Sequence, residues 1–205
     1  MKPVSMPITV LPATGEELRA ALPELARLRQ QVFRAFPYLY EGDADYEENY
    51  LRTYLNAPGA VVALARAAGG RVVGASTALP LLQETAEVQA PFGPPEFDRS
   101  DVLYLGESVL LPEFRGRGIG HQFFEVREAH ARTLGLSVTA FCAVQREESH
   151  LARPAYYRPL NAFWTARGYT ERPDLHTRMT WRDVGQGQET AKDMRFWVKS
   201  GERGS

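Results

Sequence analysis

One cysteine, three lysines and almost no net charge mark this chain, and each shortage excludes something. Cys142 stands alone, so no internal disulfide can form. A formal net charge of -1 over 205 residues supplies no general field for a nucleic-acid backbone or an anionic membrane, and partners must be recognised locally. No run of about 18 apolar residues occurs, which excludes a membrane-spanning helix. No basic segment followed by an apolar run reads as a signal peptide, so the cytoplasm is the expected location. Four scattered histidines and one cysteine give no metal-ligand spacing, and no metal is expected. The basic residues are overwhelmingly Arg, with Lys only at Lys2, Lys192 and Lys199, a bias that says nothing about substrate.

What is present is ordinary for a soluble globular protein: 44% hydrophobic and 24% charged residues. The length predicts one domain over residues 1–205 with one well-buried core. Pro3, Pro7 and Pro12 among Ile8, Val10 and Leu11 fit an edge strand entered through a loop. Leu18, Leu22, Leu25, Leu28, Val32 and Phe33 recur at helical spacing, with Pro23 able to open a new turn. From Phe36 to Tyr50, four tyrosines (Tyr38, Tyr40, Tyr46, Tyr50) interleave with five acids (Glu41, Asp43, Asp45, Glu47, Glu48), and a second helix then runs to Leu55. Ala60–Ala65 and Arg71–Leu79 read as a hairpin joined by Ala68-Gly69-Gly70. A proline-rich long loop fills the stretch from Pro80 to Asp101.

Val102 to Leu111 reads as a buried strand, followed by a glycine-rich turn and a helix from Gly118 to Leu134 that Gly135 closes. A strand over Leu136–Val144, a short helix over Pro159–Arg167, and strands near His176–Trp181 and Arg195–Lys199 complete the pattern.

The turn carries the chemistry. Leu110-Leu111-Pro112-Glu113-Phe114-Arg115-Gly116-Arg117-Gly118-Ile119-Gly120-His121 places three glycines within five residues at the start of a helix. There the backbone amides lack intrahelical partners and the dipole is positive, so a turn free of β-carbons can wrap its donors around a phosphate. Arg115 and Arg117 add charge-assisted contacts, and the sequence points to a pyrophosphate-bearing ligand. A nucleoside-triphosphatase loop would need Gly-Lys-Ser or Gly-Lys-Thr, which is absent. A dinucleotide fingerprint would need glycine where His121 stands.

With Arg115, Gly118 and Gly120 in the pattern Arg, two residues, Gly, one residue, Gly, this segment resembles the GCN5-related N-acetyltransferase (GNAT) superfamily. The likeness extends over about Ala60 to Tyr169. It implies an α/β (α+β) fold: a mixed, mostly antiparallel, twisted sheet splayed between its fourth and fifth strands and flanked by helices. It further implies acetyl-CoA as cosubstrate, its phosphates held by Arg115, Gly116, Arg117, Gly118, Ile119 and Gly120. Val109, Leu110 and Leu111 would offer backbone contacts to the pantetheine arm. The reaction implied is direct attack of an amine on the thioester, which calls for a base and an acid.

In an unbulged strand Glu107 shares a face with Leu103, Leu105, Val109 and Leu111. Burial there raises a carboxylate pKa toward the range useful for a general base, acting directly or through water. A bulge that turned Glu107 to solvent, or an arginine partner, would make it structural instead. For the acid, the resemblance leads to Trp164, where relatives often carry Tyr, and to Tyr157, where they often carry Asn. Tyr157 or its neighbour Tyr156 is then the candidate donor, with packing beside Pro154 and Pro159 as the other reading. A thiol pKa near 8.5 also allows the thiolate to leave unaided. Cys142 fits either a covalent acyl-enzyme route or a small buried residue, and His130 a packed, hydrogen-bonded position.

The acidic-aromatic stretch lies where this family's first two helices wall the acceptor site. Tyr38, Tyr40 and Glu41 are therefore the candidate contacts to a cationic amine, with a solvated surface run as the alternative. The segment from Pro80 to Asp101 is a second candidate wall. The expected partner is a small-molecule or peptide amine, with no nucleic acid and no membrane, and with room for a homodimer. Three other functions stay open: a non-catalytic coenzyme A binder, an enzyme for a longer acyl chain or a hydroxyl acceptor, and a nucleic-acid module resting on Arg-Gly-Arg-Gly alone.

Overall fold

The computed structural model describes residues 8–201; Met1 to Pro7, including Pro3 and Pro7 of the first expected strand, and residues 202–205 lie outside them. Strand β1 (Thr9–Ala13) leads into helix α1 (Gly15–Phe33), which runs through Pro23 without a break. Its apolar residues at helical spacing are buried, among them Leu18, Leu22, Leu25 and Leu28. Helix α2 (Ala44–Asn56) starts where the Asp43 carboxylate accepts the N–H of Tyr46 at 3.0 Å, an N-cap that satisfies one free amide. The two helices pack against each other, and α1 packs on β3 and β4.

Strands β2 (Val61–Arg66) and β3 (Val72–Pro80) form the expected hairpin. They are buried almost along their whole length, so the sheet is covered on both faces at this point. The segment expected to be a long loop is packed rather than open. It holds the short helix α3 (Ala86–Gln89), and Leu81, Val88, Phe92 and Phe97 are buried in the main core. Phe92 meets Phe196 edge to face at 5.0 Å, which pins the segment onto the sheet. Proline and glycine hid these anchors because they are spaced irregularly.

Strand β4 (Val102–Leu110), helix α4 (Ile119–Thr133), strand β5 (Val138–Val144), helix α5 (Asn161–Ala166) and strands β6 (Thr170–Arg182) and β7 (Glu189–Ser200) follow. The seven strands lie in the order β1-β2-β3-β4-β5-β7-β6. Every neighbouring pair is antiparallel except β4–β5, which is parallel and pairs only over Val102–Tyr104 against Val138–Ala140. Beyond Tyr104, β4 stays with β3 while β5 stays with β7, so the sheet opens there as the resemblance implied. The last two strands run longer than their apolar patches suggested. As the edge strand, β6 tolerates an exposed polar face and Pro173 at a break in its register. No helix among the described residues is long and apolar enough to cross a membrane.

The expectation of an unbulged β4 is overturned. Thr77 pairs with Glu107, yet Leu79 pairs with Tyr104, so β4 carries one extra residue around Leu105 and Gly106. The bulge moves everything after it to the other side. Leu103 and Leu105 join Phe124, Phe141 and Trp197, whereas Val109 and Leu111 belong to the main core, and Glu107 faces α1.

Candidate active site

The site begins at the turn between β4 and α4. Gly116 and Gly118 have φ of 73° and 78°, the left-handed region that a β-carbon disfavours by roughly 1–2 kcal/mol. Gly118 is the N-cap of α4 and supplies no side chain to the helix, so the first N–H groups of a 15-residue helix point out of the turn without a cap. Arg115 and Arg117 are exposed; their hydrogen bonds among the described residues go to backbone carbonyls, Leu110 at 3.3 Å and Glu113 at 3.0 Å, and Arg117 also lies over the Phe114 ring at 5.3 Å. Both therefore keep guanidinium donors free for an anion. Gly120 needs no special φ, and the Phe163 ring of α5 closes over it.

The turn continues directly from the open edge of β4. Past Tyr104 this strand is hydrogen-bonded on one edge only, which leaves alternate amides and carbonyls from Glu107 to Leu110 facing the gap. Arg127, from α4, holds the bulge from beneath. Only 2% exposed, it donates through Nη1 to the carbonyls of Glu107 at 3.1 Å and Thr77 at 3.4 Å, and through Nε to Phe123 at 3.1 Å. Burial lowers its pKa to about 10, so it remains charged at neutral pH. Arg127→Met is expected to leave both bulge carbonyls unpaired, at roughly 1–3 kcal/mol. Thermal unfolding should show that as a fall of roughly 2–4 °C for each kcal/mol.

On the other face, Glu107 is buried against Arg29 of α1, and the same guanidinium also binds Glu47 of α2. Two carboxylates share one cation, which leaves one negative charge in excess. Arg29 also stacks on the Tyr50 ring at 4.3 Å and on Phe33 at 5.1 Å. Of the two structural alternatives for Glu107, the arginine partner is the one present. Its signal was an arginine within the apolar stripe of α1, a position that demands a buried counter-charge.

Tyr38, Tyr40 and Glu41 lie in the link between α1 and α2. Tyr38 is half-buried between Phe33 and Trp181, and its carbonyl accepts from Trp181 Nε1 at 3.0 Å and Arg146 at 2.9 Å. Leu39 has φ of 55°, and its N–H bonds Ala35 while its carbonyl accepts from Val184. Tyr40 bridges to Asp183, and burial together with Glu47 raises its hydroxyl far above the ordinary phenol range. Four of the five acids of this stretch are already engaged: Glu41 with Arg34, Glu47 with Arg29, Glu48 with Arg52, and Asp43 as the α2 cap.

Tyr157 is half-buried beside the same link, edge to face with Phe36 at 4.7 Å and under Arg153 at 5.2 Å. Tyr156 is exposed. Trp164 is packed against Phe141 at 5.0 Å and Trp197 at 5.1 Å, with no hydroxyl to give. Cys142 is buried, and desolvation pushes its thiol up to about 12, far from a reactive thiolate. Its Sγ lies 3.1 Å from the Tyr104 hydroxyl, next to the point where β4 and β5 part. His130 bonds the Gly59 carbonyl at 2.8 Å, a packed position as expected. Sequence reasoning passed over Glu84, whose pKa burial raises; it forms no ion pair among the described residues.

A strand that is bulged and parted from its neighbour thus runs into an uncapped glycine turn. The profile of the acetyltransferase (GNAT) family matches residues 23–161, and the chain belongs to that family. No curated protein matches it in sequence. Solved structures share the fold. Ribosomal-protein-alanine N-acetyltransferase from Brucella melitensis is 20% identical, with a TM-score of 0.59 over 94% of this chain and 99% of that one. The protein yncA from Salmonella typhimurium, solved with its cofactor acetyl-CoA, is 13% identical, with a TM-score of 0.61 over 97% and 96%. A GCN5-related N-acetyltransferase from Kribbella flavida is 16% identical, with a TM-score of 0.57 over 94% and 97%.

Proposed function

We propose that this chain, acting as a single domain, transfers an acetyl group from acetyl-CoA to the primary amine of a small molecule or peptide. One observation carries the reading: the uncapped start of α4, with left-handed Gly116 and Gly118, follows directly on β4, whose free edge lines the sheet opening. The donor set fits the cosubstrate. Amides at Gly118, Ile119 and Gly120, with Arg115, Gly116 and Arg117, would hold the pyrophosphate. The one-sided backbone of Val109, Leu110 and Leu111 would pair with the amides of the pantetheine arm, as an added strand pairs with a free edge. When bound, acetyl-CoA supplies an activated acyl group; the chain orients it and handles protons.

Glu107 is the proposed base. It lies beside the bulge, and because Arg29 is shared with Glu47, the group retains the excess negative charge that a proton can neutralise. Tyr38 and Tyr40 wall the acceptor side, and Glu41 steadies that wall through Arg34. Tyr157 covers the wall from the loop after β5 through its contact with Phe36.

The test compares acetyl-CoA, free coenzyme A, ATP and NAD at equal concentration by thermal shift. At about 100 times its dissociation constant, a ligand of the native state adds roughly 2.7 kcal/mol. For a chain of this size that amounts to roughly 5–10 °C. The expected result is that shift with both coenzyme A forms and none with NAD, followed by thiol release in an amine screen. A flat response to both coenzyme A forms would overturn the reading.

A further inference from the structure

Transfer to an amine ends with a thiolate that needs a proton, and neither Trp164 nor Tyr157 stands at the bulge. Other hydroxyls do. A β-carbon on Gly106 would lie 2.5 Å from Tyr54 Oη and 2.7 Å from Thr77 Oγ1, so only glycine lets these two groups touch the bulged backbone. Thr77 Oγ1 accepts the N–H of Glu107 at 3.2 Å, which places it on the bulged backbone beside Tyr54 Oη. Tyr54 Oη lies 3.0 Å from Tyr50 Oη, and the two rings meet edge to face at 5.7 Å. The spacing of four residues on α2 puts both on one face of the helix.

The row has an inner and an outer end. Tyr54 is 4% exposed and abuts the strand, whereas Tyr50 is partly exposed beside Arg29. The charged groups around it include Arg29, stacked on Tyr50 and paired with Glu47 and Glu107, Arg127, whose charge acts on Tyr54, and Glu84 of the packed segment after β3, whose charge acts on Tyr50, Tyr54, Tyr104 and Cys142. Burial keeps both phenols protonated at neutral pH, as a proton donor must be on arrival.

We infer that Tyr54 is the general acid of the transfer and that Tyr50 resupplies its proton from the acceptor side. This rests on the acetyl-CoA reading above. The amine nitrogen forms a bond to the thioester carbon and gives its proton to Glu107. The carbon–sulfur bond breaks, its electron pair goes to sulfur, and sulfur takes the proton of Tyr54 Oη. Tyr54 recovers a proton from Tyr50, Tyr50 takes one from water, and Glu107 releases one to water. The products are the amide and the free thiol, with no further reagent.

Tyr54→Phe and Tyr50→Phe remove only the hydroxyls. Each variant is checked by its thermal shift with acetyl-CoA, which should equal that of the parent, and is then assayed by thiol release. Tyr54→Phe is expected to lose about 100-fold in kcat at unchanged acetyl-CoA affinity, and Tyr50→Phe about tenfold. The oxygen ester analogue of acetyl-CoA has a far poorer leaving group, and with it Tyr54→Phe should lose still more. A packing role would leave that ratio unmoved. If Tyr54→Phe keeps kcat within about threefold with both donors, the proposal is overturned. If the parent chain itself shows no acetyl-CoA shift, the functional reading fails first and takes the proposal with it.

Discussion

Glu107→Gln should lower kcat by about 100-fold or more while leaving the thermal shift with acetyl-CoA intact. The substitution keeps the shape and removes the charge. Arg29 then balances Glu47 alone, so the buried cluster loses its excess negative charge and gains nothing destabilising. In the proposed reading coenzyme binding rests on the turn from Arg115 to Gly120, which the Glu107 side chain, held by Arg29, does not touch, and this separates binding from turnover. Steady-state thiol release with a responsive amine measures turnover, and thermal shift measures binding. Full activity in Glu107→Gln would assign the carboxylate a purely structural role. Loss of turnover with binding retained would exclude a protein that merely binds the coenzyme.

The largest effect on stability should come from Arg29→Met, at about 3–5 kcal/mol. Arg29 is 7% exposed and its guanidinium is the cation between Glu47 and Glu107, so methionine would leave two carboxylates facing each other in the core. Stacking on Tyr50 would be lost as well. For about 200 residues this predicts a fall in Tm of roughly 6–20 °C. Adding Glu47→Gln and Glu107→Gln should restore most of the loss, because the cost lies in the unpaired charges rather than in the missing contacts. A Tm for Arg29→Met alone within about 2 °C of the parent would contradict a shared buried cation.

Local signals carried much of the fold. Apolar spacing of three and four places α1 and α4 within a residue or two, and Gly69-Gly70 marks the β2–β3 hairpin where φ is 82° and 84°. The segment after β3 was harder, because Leu81, Val88, Phe92 and Phe97 are core residues without a periodic pattern. Strand β6 was cut short because its exposed face is polar and Pro173 interrupts it, features that an edge strand accepts. Arginines at Arg29 and Arg127 stood within apolar stripes and were the unread hint of buried polar partners.

The amino-acid sequence by itself determined the glycine turn before α4, since Gly116 and Gly118 meet a demand of the local backbone and the helix that follows exposes its amides wherever it lies. It also determined the parted β4–β5 pair indirectly, through the family that the turn identifies. Tertiary structure alone decided what Glu107 faces. An extra residue in β4 reverses the side on which every later side chain emerges, and no pattern of alternation within the strand announces it. Packing of α1 and α2 over that bulge then set Arg29 against Glu107, and Tyr54 against Gly106. Those contacts join groups remote in sequence, so the register of the sheet rather than any local motif put them together.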